Sequence, residues 1–115
     1  MIEKVLTGEK TVTRRPARTR YCSYRHGNTY AIQSGRGKKG IGYIRIIGTQ
    51  RERLFLGNPA YCESEAEAEG YESWSDFRRD WTKLYGKFDP ELPVWRIRFV
   101  LVDPMQVTIG GADGL

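Results

Sequence analysis

A mixed α+β domain, with strands and helices in separate stretches of chain, follows from three features of the sequence. Residues 29–33, 41–47 and 94–102 carry β-branched and aromatic residues in strand-length runs. Residues 73–85 instead place Trp74, Phe77, Trp81, Leu84 and Tyr85 on one helical face. The whole chain is 115 residues, which suits one domain with a modest core.

In chain order, residues 1–8 predict a short helix. Two turns are marginal alone, so Ile2, Val5 and Leu6 must be held by packing. Gly8 is placed to stop it. The segment 9–20 then concentrates Lys10, Thr11, Thr13, Arg14, Arg15, Arg18 and Arg20, with Pro16 barring any helix through it. Tyr21, Tyr24 and Tyr30 interleave with Arg20, Arg25 and His26, a composition in which rings stack bases and cations hold phosphates. A turn at 26–28 leads into the strand 29–33.

Residues 35–40, Gly-Arg-Gly-Lys-Lys-Gly, match the dinucleotide-binding pattern G-x-G-x-x-G. That pattern requires a helix to follow, and a strand follows here. The segment therefore reads as a basic loop between antiparallel strands, with Arg36, Lys38 and Lys39 available to a phosphate. Residues 49–53 read as a polar stretch after the strand, and Asn58-Pro59 as a break. From residue 60 the pattern is helical. Glu63, Glu65, Glu67 and Glu69 crowd a segment that Gly70 ends, and Ser73 begins a second helix with Asp76 three positions on. In the last strand Trp95, Ile97, Phe99 and Leu101 share one face and Arg96 and Arg98 the other. Residues 104–115 predict a short edge segment and a flexible tail, leaving 1–103 as the domain.

Charge divides the chain. Residues 1–54 hold thirteen Lys and Arg against three Asp and Glu; residues 55–115 hold six against eleven. The first half is suited to an anionic partner. No apolar run is long enough to span a membrane, and the opening residues hold no hydrophobic leader, which predicts a cytoplasmic protein. Cys22 and Cys62 then read as free thiols. Cys22 and His26 supply too few ligands for zinc, so neither metal nor cofactor is expected.

The pattern Gly8-x-Lys10-Thr11-x-Thr13-x-Arg15 resembles the opening motif of the ASCH family, relatives of the PUA domains. Gly27-x-x-Tyr30-x-x-Gln33, then Glu69-Gly70-Tyr71-x-Ser73 leading to Phe77, Trp81 and Tyr85-Gly86, then Val94-Trp95-x-Ile97-x-Phe99 follow in the family's order. The resemblance implies a small PUA-like β-barrel with helices packed at its mouth. It also implies a basic cleft that takes RNA or a modified nucleoside or nucleotide; the chain itself is expected to be a monomer. One group within the family is similar to small bacterial amidohydrolases acting on N4-acetylcytidine. Their functional lysine, threonine and glutamate fall on Lys10, Thr13 and Glu69, with an arginine at Arg15.

Two readings of function result. In the first, the 10–15 segment faces Glu69 across a pocket, and Lys10, Arg14, Arg15, Tyr30 and the loop carrying Arg36, Lys38 and Lys39 bind RNA or a nucleoside. In the second, the same pocket hydrolyses an N4-acyl group from cytidine, with Thr13 as nucleophile, Lys10 as base and Glu69 as acid–base partner; RNA cleavage is a related variant. A threonine hydroxyl needs a base beside it, and a lysine serves only when neutral. A plain strand would send Lys10 and Thr13 to opposite faces, so a turn after Gly8 is required. A third reading, a protein-interaction module using glutamates 63–69, needs no pocket.

Overall fold

A computed structural model describes residues 2–33, 40–55 and 57–102. The basic loop with Arg36, Lys38 and Lys39, and the segment 104–115, lie outside the described residues. The elements run α1 (Ile2–Leu6), β1 (Val12–Pro16), β2 (Thr29–Gln33), β3 (Gly40–Arg53), α2 (Pro59–Ala68), α3 (Trp74–Tyr85) and β4 (Pro93–Val102). The strands form one antiparallel sheet in the order β1-β4-β3-β2, curled into a half-barrel. The last strand therefore lies in the interior of the sheet, paired to β1 on one side and β3 on the other.

The polar stretch 49–53 is strand, not connection. It pairs in register with β4 from Thr49 opposite Ile97 to Arg53 opposite Pro93. Ladder hydrogen bonds to a central strand override the low β propensity of its polar side chains. The register shifts between Ile46 and Gly48. A bulge there reverses which alternate residues face which way. Before it, Ile44 and Ile46 lie on the same face as Ile97 and Phe99; after it, Gln50 and Glu52 lie with Val94 and Arg96 on the opposite face. The bulge thus lets one strand serve two surfaces.

Those two surfaces carry separate cores. On one, Val94 packs with Leu54, Ala66, Phe77 and Trp81 beneath α2 and α3. On the other, Tyr30, Ile46, Ile97 and Phe99 pack with Val5 of α1 and with Cys22 and Tyr24 from the loop after β1. They are called below the α2 face and the α1 face. The aromatic stripe of α3 forms a stack: Trp74–Phe77 at 4.8 Å, Phe77–Trp81 at 5.8 Å and Trp81–Tyr85 at 4.4 Å between centroids. Its expected fifth member, Leu84, is 70% exposed because it sits on the rim beside a cleft. In β4 the expected buried face also breaks near its end, with Leu101 exposed and Val102 buried. Helix ends are closed as their residues dictate. Ser73 Oγ accepts from Asp76 N at 3.2 Å, and Gly86 ends α3 in a left-handed conformation.

The placement of α1 depends on Gly42, opposite Ile32 in the ladder. A Cβ there would lie 3.0 Å from Leu6 Cδ2 and 3.3 Å from Ile32 Cδ1. Gly42→Val is expected to lower stability by about 1–3 kcal/mol through overpacking, as read by urea denaturation. Gly48→Ala, whose nearest atom is Arg98 Cβ at 4.0 Å, serves as the tolerant control.

Candidate functional site

The carboxyl-terminal end of α2 is where the segment 4–11 docks. A helix leaves its last carbonyls without internal partners and concentrates negative potential there. The amino-terminal segment supplies the partners. Lys4 Nζ donates to Gly70 O, Lys10 Nζ to Glu69 O at 2.9 Å, and Thr11 N to Ala68 O at 2.8 Å. Gly8 has φ +83°, and Lys10 N returns to Lys4 O at 2.9 Å. Lys10 thus lies in a turn ahead of β1. That removes the strand alternation that would separate it from Thr13, and both line the same cleft.

Glu69 is buried and doubly paired. Its Oε1 accepts from Lys10 Nζ at 2.9 Å and its Oε2 from Arg14 Nη1 at 3.1 Å. Arg14 is itself only 4% exposed and also pairs with Glu52, at 3.0 Å, and with Glu65. Arg96 donates to both oxygens of Glu65. Three cations, Lys10, Arg14 and Arg96, therefore meet three carboxylates, Glu52, Glu65 and Glu69, and balance. Burial opposes the charge on Arg14, but Glu69 and Glu65 outweigh it and hold the guanidinium protonated. Burial would likewise lift Glu65, and the hydrogen bonds from Arg96 and Arg14 keep it below the ordinary carboxylate range. Lys10 goes the other way. Desolvation lowers its pKa and outweighs the opposing pull of Glu69, with Arg15 and Arg14 adding to the lowering.

A cleft of about 530 Å³ opens over this network between α1, the 10–15 segment and α3. That is within the range of small-molecule sites. Lys10, Thr13, Arg15 and Glu69 supply its polar wall, with Phe77, Trp81 and Tyr85 as an aromatic one. A second hollow of about 390 Å³ lies on the α1 face, floored by Tyr30, Ile46, Ile97 and Phe99. Val5, Lys10, Thr13 and Arg15 line both, so they form the ridge between them. On the ridge Arg15 Nη1 donates to Thr13 Oγ1 at 3.0 Å. An ammonium has three N–H groups, and Glu69 takes two of those on Lys10.

The residues singled out in the sequence thus fall into three groups. Lys10, Thr13, Arg15 and Glu69 are brought together at the cleft. Arg14 is placed inside the protein, held by three carboxylates, rather than on a phosphate-facing strip with Arg15. Tyr30 is a core residue at 5% exposure, its hydroxyl accepting from Arg25 N at 2.9 Å. Sequence reasoning missed Glu52, Glu65 and Arg96 as members of the network, and Tyr71 and Asp80 in the cleft. The Tyr71 hydroxyl is pushed to a high pKa by burial and by its hydrogen bond to Asp80. A charged residue on the apolar side of a helix, as Glu65 is beside buried Cys62 and Ala66, was the available signal.

Among solved structures, an ASCH domain from Lactobacillus crispatus is similar over 86% of this chain and 68% of its own, at TM-score 0.58 and 19% identity. A protein from Enterococcus faecalis assigned to the domain family DUF984 is similar over 88% and 69%, at 0.61 and 22%. A hypothetical protein, PH0355, is similar over 88% and 90%, at 0.62 and 16%. No protein-family model and no curated protein matches the chain. The chain has the ASCH fold.

Glu65 gives the network a pH signature. Its folded pKa is depressed, so its contribution is complete above the ordinary carboxylate value and disappears as pH falls through the folded one. Thermal melts of Glu65→Gln should be less sensitive to acid below about pH 4.5 than those of the unsubstituted protein. At neutral pH the same variant should be about 3 kcal/mol less stable, having left Arg14 and Arg96 short of a partner.

Proposed function

We propose that the chain acts as an ASCH domain whose cleft binds RNA or a modified nucleoside through the ridge of Lys10, Thr13 and Arg15 facing Glu69. The observation that carries this reading is the 2.9 Å contact of the Lys10 ammonium with the Glu69 carboxylate at the wall of an aromatic-lined hollow. A nucleobase offers a flat face to half-buried Tyr85, at the end of the aromatic wall, and an edge of donors and acceptors to the polar wall. Asp80 and Glu69 accept hydrogen bonds, while Lys10 and Arg15 donate them, so both kinds of base-edge group find a counterpart. Arg15 is exposed and has no carboxylate partner among the described residues, which suits it to a phosphate or a carbonyl oxygen. Arg14 serves as a positioning residue, since it fixes the orientation of Glu69 from behind.

The lowered pKa of Lys10 favours a second reading, in which the same cleft hydrolyses an N4-acyl group from cytidine. Neutral Lys10 takes the proton of the Thr13 hydroxyl as its oxygen attacks the amide carbonyl. Arg15, already hydrogen-bonded to Thr13, stands where charge develops on the carbonyl oxygen. The cytidine amine leaves with a proton returned from Lys10, and Glu69 orients the water that releases the acid.

Isothermal titration with N4-acetylcytidine and chromatography of the products test the two readings together. Lys10→Ala and Glu69→Gln should keep the fold, as seen by circular dichroism, and lose at least tenfold in affinity. Unchanged binding in both variants would refute the cleft. Release of cytidine that disappears in Thr13→Ala establishes the second reading; binding without turnover leaves the first.

A further inference from the structure

The ridge continues as a row across the sheet. Arg15 of β1 stands opposite Trp95 of β4, and Trp95 stands opposite Arg51 of β3. Residues opposed in a ladder project to one face, so an arginine, a tryptophan and an arginine lie side by side on the α1 face. Strands sit about 4.8 Å apart, which separates the two arginine backbones by about 10 Å. Both arginines are exposed, and neither has a carboxylate partner among the described residues. Neighbouring cations differ: Arg14 and Arg96 on the α2 face are neutralised, and Arg53 pairs with Glu91 at 3.2 Å. Trp95 differs likewise from the tryptophans of α3. It packs against the margin of the α1-face core, is half-buried, and stacks on no other ring among the described residues.

We infer that the nucleoside held in the cleft is one unit of a single-stranded polynucleotide, whose adjoining nucleotide lies across the Arg15–Trp95–Arg51 row. The inference rests on the nucleoside reading of the cleft. The unstacked indole takes the face of the next base, and the two guanidiniums, with no carboxylate partner among the described residues, flank its phosphates. Arg15 lines the cleft and begins the row, so the path between the units is continuous. A duplex is excluded from this arrangement, because its bases already cover one another's faces. The surplus of ten positive charges in residues 1–54, where both arginines lie, supplies the attraction for a polyanion.

The test uses the full chain and fluorescence anisotropy, with labelled mixed-sequence single strands of about ten nucleotides in RNA and DNA form, and the RNA duplex. One or both single strands should bind at least tenfold more tightly than N4-acetylcytidine and than the duplex. Trp95→Ala and Arg51→Gln should each weaken single-strand binding about tenfold while leaving the nucleoside affinity unchanged. Arg51→Gln should also reduce the salt slope by about 0.7. Duplex binding as tight as single-strand binding, or unaltered binding by Arg51→Gln, overturns the inference. Should Trp95→Ala fail to fold, Arg51→Glu at its exposed position decides the matter alone. Failure of the cleft reading is distinct: it shows as nucleoside binding that is unchanged in both Lys10→Ala and Glu69→Gln.

Discussion

Burying a guanidinium is the constraint around which this molecule is arranged. Arg14 projects from an edge strand into the seam between sheet and α2, where water cannot solvate it. An uncompensated charge in such a place costs several kcal/mol. The fold meets that cost with Glu52 from β3 and Glu65 and Glu69 from α2, and Arg96 then offsets the excess of carboxylates. The four partners come from three stretches of chain, β3, α2 and β4, so the network specifies how sheet and helix dock. It also fixes Glu69 in one orientation, with one oxygen committed inward and the other turned to Lys10 at the cleft.

Much of this architecture could be read from the residues. The strands at 29–33 and 94–102, the aromatic helix and its serine and glycine caps all rest on local signals, which is where sequence patterns are strong. The ordered motifs that resemble the ASCH family pointed to a fold that the solved structures share. The full length of β3 was not legible. A run such as Thr49 to Arg53 becomes strand only because a central strand offers it a ladder, and that partner is forty or more residues away. The bulge at Ile46 and Gly48 was equally hidden, since no residue near it demands an unusual conformation.

At the site the division is similar. Lys10, Thr13, Arg15 and Glu69 carried a motif, and the structure gathers them at one ridge. Arg14 and Arg15 looked equivalent in a basic run, yet strand alternation sends one inward and the other outward. Which of the two is buried depends on where β1 begins, and that is set by Gly8 and the hydrogen bonds to α2. Asp80 falls among charged neighbours in the sequence and reads as solvent-facing; the turn holding Tyr71 brings a hydroxyl to it and makes it part of the wall.

The clasp of residues 4–11 on the end of α2 has a kinetic meaning. Lys10 and Glu69 are separated by 59 positions, Arg14 and Glu65 by 51. Contacts of such span close large loops and belong to slow-folding topologies. The strand that carries Arg14 must also wait for β4, the last strand of the sheet in chain order, before it has a ladder to join. A ribosome therefore releases most of this domain before its pocket can exist, and β1 is among the last of its elements to find a place.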